Sequence, residues 1–409
     1  MSRLANRLRG AVAAAISLLL VLPLAGCWST TEINDLAIIT VLGIDQNEHG
    51  EFQVSALVIR PSNISQGGLG SGFSGGGDNP SYVVAEAVGD TMFQAMQKLS
   101  STLSKRMYWS HLQAIVLGRK AADEHSVTIL DILMREQQFR KNIDVLVTKG
   151  KAVDIVKTKP HLEGSLGAEI HGIIKYSKHT ATTIVQDISH FASSISSSGI
   201  DHITGEISST ADRGSSISED GTKTPSLNIT GSAAFKEGRL AGFLDRVETR
   251  GVLWIVGQVK TGSTKMSCPE GNGNGISLEI TNARSSRIPK KTADGISMKV
   301  VVDIEAEIRE IACDGFELNP DRMDQLNEQL ENTIMDEMNH ALKKAKEEWQ
   351  SDVFQFGTTI YKKYPKEWKQ LRASWREGEF RRMKVELEVR AQIKRAGLIH
   401  DSIRVDERR

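Results

Sequence analysis

Three patterns in the 409-residue chain predict a multi-domain α+β fold. Apolar strands alternate with apolar-striped helices through the first half. In the second half, two long stretches alternate apolar and charged residues, the period of a strand with one buried face. Between them runs a helix whose apolar stripe extends from Met323 to Trp349 at spacings of three and four. The first half therefore predicts an α/β region with a mixed sheet. The second predicts an antiparallel sheet packed by a long helix.

Taken in order, Ala37 to Ile44 and Phe52 to Ile59 read as two strands. Gln46-Asn47-Glu48-His49-Gly50 supplies the polar residues and the glycine that a hairpin loop needs. Ser65 to Asp78 is mostly Gly and Ser, has almost nothing to bury and reads as a mobile loop. From Val84 the period becomes helical, through Val88, Met92, Ala95, Leu99 and Leu103. A strand over Leu112 to Leu117, a helix over Ala121 to Met134 and a strand over Ile143 to Val147 follow. Ser193 to Pro225 is poor in apolar residues and reads as a connection between domains. Beyond it, Val252 to Val256 and Ile276 to Ile280 read as short strands, and Met298 to Ile308 and Val385 to Ile393 as long ones. Asn319 and Pro320 are the N-cap and first residue of the long helix. The resulting organisation is a leader over 1–26, an N-terminal region over 27–195 with room for two subdomains, a connection over 196–225 and a C-terminal domain over 226–409.

The leader narrows the function classes. Arg3, Arg7 and Arg9 precede an apolar run from Ala11 to Leu22, too short to span a bilayer comfortably. Leu24-Ala25-Gly26-Cys27 then resembles a bacterial lipobox, in which the Cys27 thiol receives a diacylglyceryl group before cleavage. Two acyl chains hold a protein on a membrane where one gives marginal binding. Cys27 is thus the expected lipidation site, with the body on the outer face of the cytoplasmic membrane. The chain has formal net charge +0, so without the three leader arginines the mature part carries three net negative charges. Nothing there attracts a phosphate backbone, and no nucleic-acid partner is expected. Cys268 and Cys313 are the other cysteines; in an exported protein they either pair or remain two buried thiols.

Catalytic patterns are weak. Gly70 to Gly75 fits G-x-G-x-x-G and Gly72 to Gly76 fits G-x-S-x-G, yet neither sits at the strand-to-helix turn that such sites require. The histidines show no metal-binding spacing. No catalytic residue, metal or cofactor is expected, and the crowding of Phe354, Phe356, Trp368 and Trp375 reads as a packing corner. His111, Glu248 and Arg250 stand at the mouths of expected strands. They are candidate partner contacts, with local loop fixation as the alternative.

Specific words then resemble the Ger(x)C family, the C subunits of bacterial spore germinant receptors. They are Gly26-Cys27-Trp28 with Gly43-Ile44-Asp45, Trp109-Ser110-His111 running to Gly118, Val145 to Gly150, Glu248 to Trp254, and Asp352 to Gly357 followed by Tyr364 to Trp368. Ser29 and Gln355 depart from residues that the family often has, Asp and Gly. The resemblance implies a lipid-anchored, non-enzymatic subunit beside two membrane-embedded partners in the spore inner membrane. A lipid-anchored ligand-binding protein serving a transporter is the alternative.

Overall fold

The computed structural model describes residues 33–59, 82–177, 179–197, 199–210, 216–217, 223–269, 271, 273–293, 295–314 and 316–394, with single leader positions 7, 10 and 12. Cys27 and the loop Ser65 to Asp78 lie outside the described residues.

Strand β1 (Leu36–Gln46) is the axis of the first half. It pairs antiparallel with β2 (Phe52–Ile59), which pairs antiparallel with β3 (Tyr82–Gly89). On its other side β1 runs parallel to β4 (Arg106–Tyr108) and β5 (Ala114–Leu117). Parallel β6 (Asp144–Val147) follows, with the two-residue β7 (Gln186–Asp187) on its edge, and then β8 (Ile203–Thr210). Short β9 (Ser216–Ile217) and β10 (Lys223–Thr224) form a ribbon of their own. Strands β11 (Ser226–Lys236) and β12 (Arg239–Leu244) then complete the large sheet beyond β8. Part of the stretch read as a connection is therefore strand, and the sheet draws its last two strands from the second half.

Both faces of this sheet are covered, as parallel strands require. Helices α1 (Met92–Thr102), α2 (Arg119–Glu124), α3 (Ser126–Arg135) and α6 (Ile188–Ser196) pack on one face. The other face carries α4 (Ala152–Val156) and α5 (Leu166–Ser177). Val84 and Val88 lie on strand β3 rather than on a helix; their spacing happens to continue the stripe of α1. The single helix expected over Ala121 to Met134 breaks at His125 into two.

The second half opens with α7 (Arg246–Val256), where a strand was expected over Val252 to Val256. Burial of nearly every residue in that run hides the helical period, but Asp245 and Glu248 form a capping box at its start. Gly257 ends it at φ 76°, a left-handed cap suited to glycine. Strands β13 (Gly262–Met266), β14 (Gly273–Thr292) and β15 (Gly295–Cys313) are antiparallel neighbours, and β16 (Val385–Lys394) closes the small sheet parallel to β15. The sheet is thus antiparallel except at its last pair, because a helical crossover separates β15 from β16.

That crossover begins with α8 (Pro320–Lys343), capped by Asn319 with Pro320 at its first turn. Leu326, Leu330, Ile334, Met338 and Leu342 are buried along its stripe. Helices α9 (Phe356–Lys363) and α10 (Pro365–Leu371) form the aromatic corner. Side chains of α8 also close the outer edge of β16: Asn327 Oδ1 accepts from Ile393 N and Glu331 Oε1 from Ala391 N.

Candidate functional site at the junction of the two halves

The two halves meet where the segment 197–202 and β11 lie against residues 351–376. Asp201 Oδ2 accepts from Asp352 N at 3.0 Å, and Asp201 N donates to Asp352 O at 3.0 Å. Arg376 reaches across from the second half, its Nε donating to Asp201 Oδ1 at 3.0 Å and its NH2 group to the carbonyls of Ser197 and Ile200. The Asp352 carboxylate accepts from Phe356 N, Gly357 N and Trp375 Nε1. Burial pushes Asp352 up to about 7 and raises Asp201 as well. His202 is stacked on Phe191 at 3.7 Å and buried against Phe235; burial holds its ring down to about 3.

The word Asp352 to Gly357 is explained by this packing. Phe354 and Phe356 stack at 5.2 Å, and Trp368 meets Trp375 edge-on at 5.2 Å. Gln355 has φ 62°, a conformation that favours glycine, as expected where the family resemblance implies glycine. A Cβ on Gly357 would lie 2.7 Å from Gly199 Cα, so the two segments touch backbone to backbone.

Glu248 and Arg250 are engaged within the fold. Glu248 accepts from Lys344 at 2.8 Å while completing the capping box of α7. Arg250 grips Glu337 of α8 through two nitrogens, the Nε contact being 2.7 Å, and Trp254 Nε1 donates to the same carboxylate at 2.9 Å. Glu337 is 4% exposed, so its charge depends on these partners. Gly251 permits the approach, because a Cβ there would sit 2.1 Å from Glu337 O. His111 is exposed, its ring 5.5 Å from that of Tyr108. Cys268 and Cys313 are joined as a disulfide with Cα atoms 5.7 Å apart, tying the approach to β14 to the end of β15.

The carboxyl ends of β1, β5 and β6 frame an open cleft of about 560 Å³, lined by Asp45, Arg119, Lys120 and Lys151 among others. Asp45, of the word Gly43-Ile44-Asp45, accepts from Ala152 N at 2.7 Å and Val153 N at 2.9 Å and so caps α4 itself. Desolvation raises its pKa against those bonds. Among the described residues no group of three or more His, Cys, Asp or Glu could hold a metal ion, and no helix is long and apolar enough to cross a membrane. Sequence reasoning missed Asp201, Glu337 and Arg376, and it met Asp352 only as the start of a family word. Their partners lie many residues away, and no local spacing marks them.

This two-half α+β architecture is shared with a solved structure titled "Crystal Structure of the GerBC protein". The TM-score is 0.52 at 16% identity, over 86% of this chain and 96% of that one. Residues 29–209 match the family model described as the spore germination protein N-terminal domain, and 230–397 match the spore germination B3/GerAC-like C-terminal model. The chain belongs to this family of spore germination proteins, the one its sequence words resemble. Its relatives include spore germination protein KC of Bacillus subtilis (strain 168), 26% identical over 97% of this chain and 98% of the relative. The putative spore germination protein YfkR of the same organism is 29% identical over 66% of this chain and 67% of its own.

Proposed function

We propose that this chain is the lipid-anchored, non-enzymatic subunit of a nutrient germinant receptor, held on the outer face of the spore inner membrane through Cys27 and assembled with two membrane-embedded subunits. The observation that carries the proposal is full-length similarity to spore germination proteins in a chain whose leader ends in a lipobox. The buried polar groups favour assembly over chemistry. Asp45 caps a helix, Glu337 clamps two helices, and Asp201 and Asp352 join the halves. A ligand-binding protein serving a transporter needs a cleft between its domains, whereas here the junction is filled by Phe354, Phe356, Trp368 and Trp375.

Fractionation of membranes from cells making Cys27→Ala tests the anchor. Each buried methylene of an acyl chain contributes about 0.8 kcal/mol, so the variant should leave the membrane fraction or be degraded. Full retention would contradict the anchor.

A further inference from the structure

The chain enters the large sheet at one end, and that end carries a cluster of exposed basic side chains. Ile33, the first residue of the described body, lies six residues beyond Cys27, a span of at most about 20 Å of extended chain. Ile33 is 66% exposed and leads directly into β1, whose Leu36 pairs with Arg106. Between Asp90 and Asp123 the sequence holds no acidic residue. Within that stretch, α1 runs back toward the start of β1 and delivers Lys98, Lys105 and Arg106, all exposed, to this end. Arg140, also exposed, joins them on the approach to parallel β6. None of these four has an ion-pair partner among the described residues; Asp35, Glu136, and Asp144 with Asp187 at the start of β6, are the acids at this end. At the opposite end the basic residues Arg119, Lys120 and Lys151 share their cleft with Asp45, Glu48 and Asp123.

We infer that the end of the large sheet where β1 begins faces the membrane and docks on anionic lipid headgroups through Lys98, Lys105, Arg106 and Arg140. The inference rests on the Cys27 anchor proposed above and adds the orientation of the body. A short tether keeps these cations near the bilayer, and each basic side chain at an anionic surface contributes about 1 kcal/mol, roughly a fivefold gain in docked population. Ile33 is an apolar side chain that can enter the interface beside them.

The test uses the full lipidated chain, in which Cys27 is acylated and Cys268 and Cys313 are bonded, so an introduced thiol is labelled selectively. A fluorophore is placed at Ser104→Cys in one sample and at Glu48→Cys, at the far end, in another. Both are bound to vesicles carrying a headgroup-linked quencher, made of phosphatidylcholine alone or mixed with phosphatidylglycerol. The Ser104→Cys probe should be quenched strongly on the anionic vesicles only, and the Glu48→Cys probe on neither. High salt should erase the difference, and Lys98→Glu with Lys105→Glu and Arg106→Glu should reduce the docked population on the order of a hundredfold. Flotation with vesicles but equal quenching at both ends, or equal quenching on neutral vesicles, overturns the docking surface and leaves the anchor standing. Failure to float with neutral vesicles overturns the anchor and the docking surface with it.

Discussion

On the small sheet, Lys299 bridges Glu386 at 3.0 Å and Glu388 at 2.5 Å, Arg309 bridges Glu307 at 3.1 Å, and Lys394 meets Glu305 at 2.7 Å. At the end of the large sheet where β1 begins, Lys98, Lys105, Arg106 and Arg140 have no such partners among the described residues. Exposed pairs contribute little stability, about 0 to 1 kcal/mol each, but they cancel the field around them. An unpaired cluster keeps a field that reaches about 10 Å at moderate salt. The charges along the small sheet are largely satisfied within it, whereas the cluster where β1 begins is not. Buried pairs differ again, since Arg250 and Glu337 are held where removing one strands the other.

The largest expected effect breaks that buried pair. Arg250→Ala should destabilise the protein by about 3–5 kcal/mol in urea unfolding, because Glu337 is left charged and buried. Adding Glu337→Leu should recover much of the loss. A loss below about 0.5 kcal/mol, the level typical of surface sites, would show that Arg250 is free to serve as a partner contact. His111→Ala, at an exposed ring, belongs at that lower level.

Next comes the disulfide, which lies within the small-sheet half. Cys268→Ser with Cys313→Ser should cost about 2–4 kcal/mol, since the bond closes a loop of 45 residues in the unfolded chain. An unchanged unfolding midpoint with and without reductant would mean that the thiols are not paired in solution.

A change of slope with pH is expected at the junction. Folded Asp352 titrates near about 7 and its unfolded form near 3.8, so the folded chain binds the extra proton and stability falls as pH rises between them. Buried His202 has the opposite sign: its folded pKa of about 3 lies below the unfolded 6.5, so stability is lost as pH falls through that window. Each slope is about 1.4 kcal/mol per pH unit, and between about pH 4 and 6.5 they oppose. Asp352→Asn should therefore leave stability rising with pH, and His202→Phe should leave it falling. Two variants with the same slope would contradict this assignment.

What the sequence made legible is local. Alternation along Met298 to Ile308 gave β15, and Asn319-Pro320 with the stripe behind it gave α8. The Val252 to Val256 run misled because a helix buried on nearly all sides has no visible period, although Asp245 and Glu248 spelled its cap. Val84 misled because an edge strand and the next helix share a spacing by chance. The junction was illegible for a different reason. Asp201 and Asp352 meet across 151 residues, and such a pairing leaves no mark on either segment alone.

The central claim, an anchored receptor subunit, is tested most directly in spores. The gene is deleted in a strain without a redundant paralogue and complemented with the parent chain or with Cys27→Ala, and nutrient-triggered germination is scored by loss of optical density. Loss of the response on deletion, with recovery by the parent chain and not by Cys27→Ala, is the predicted result. An undiminished response to every nutrient in the deletion strain would contradict it.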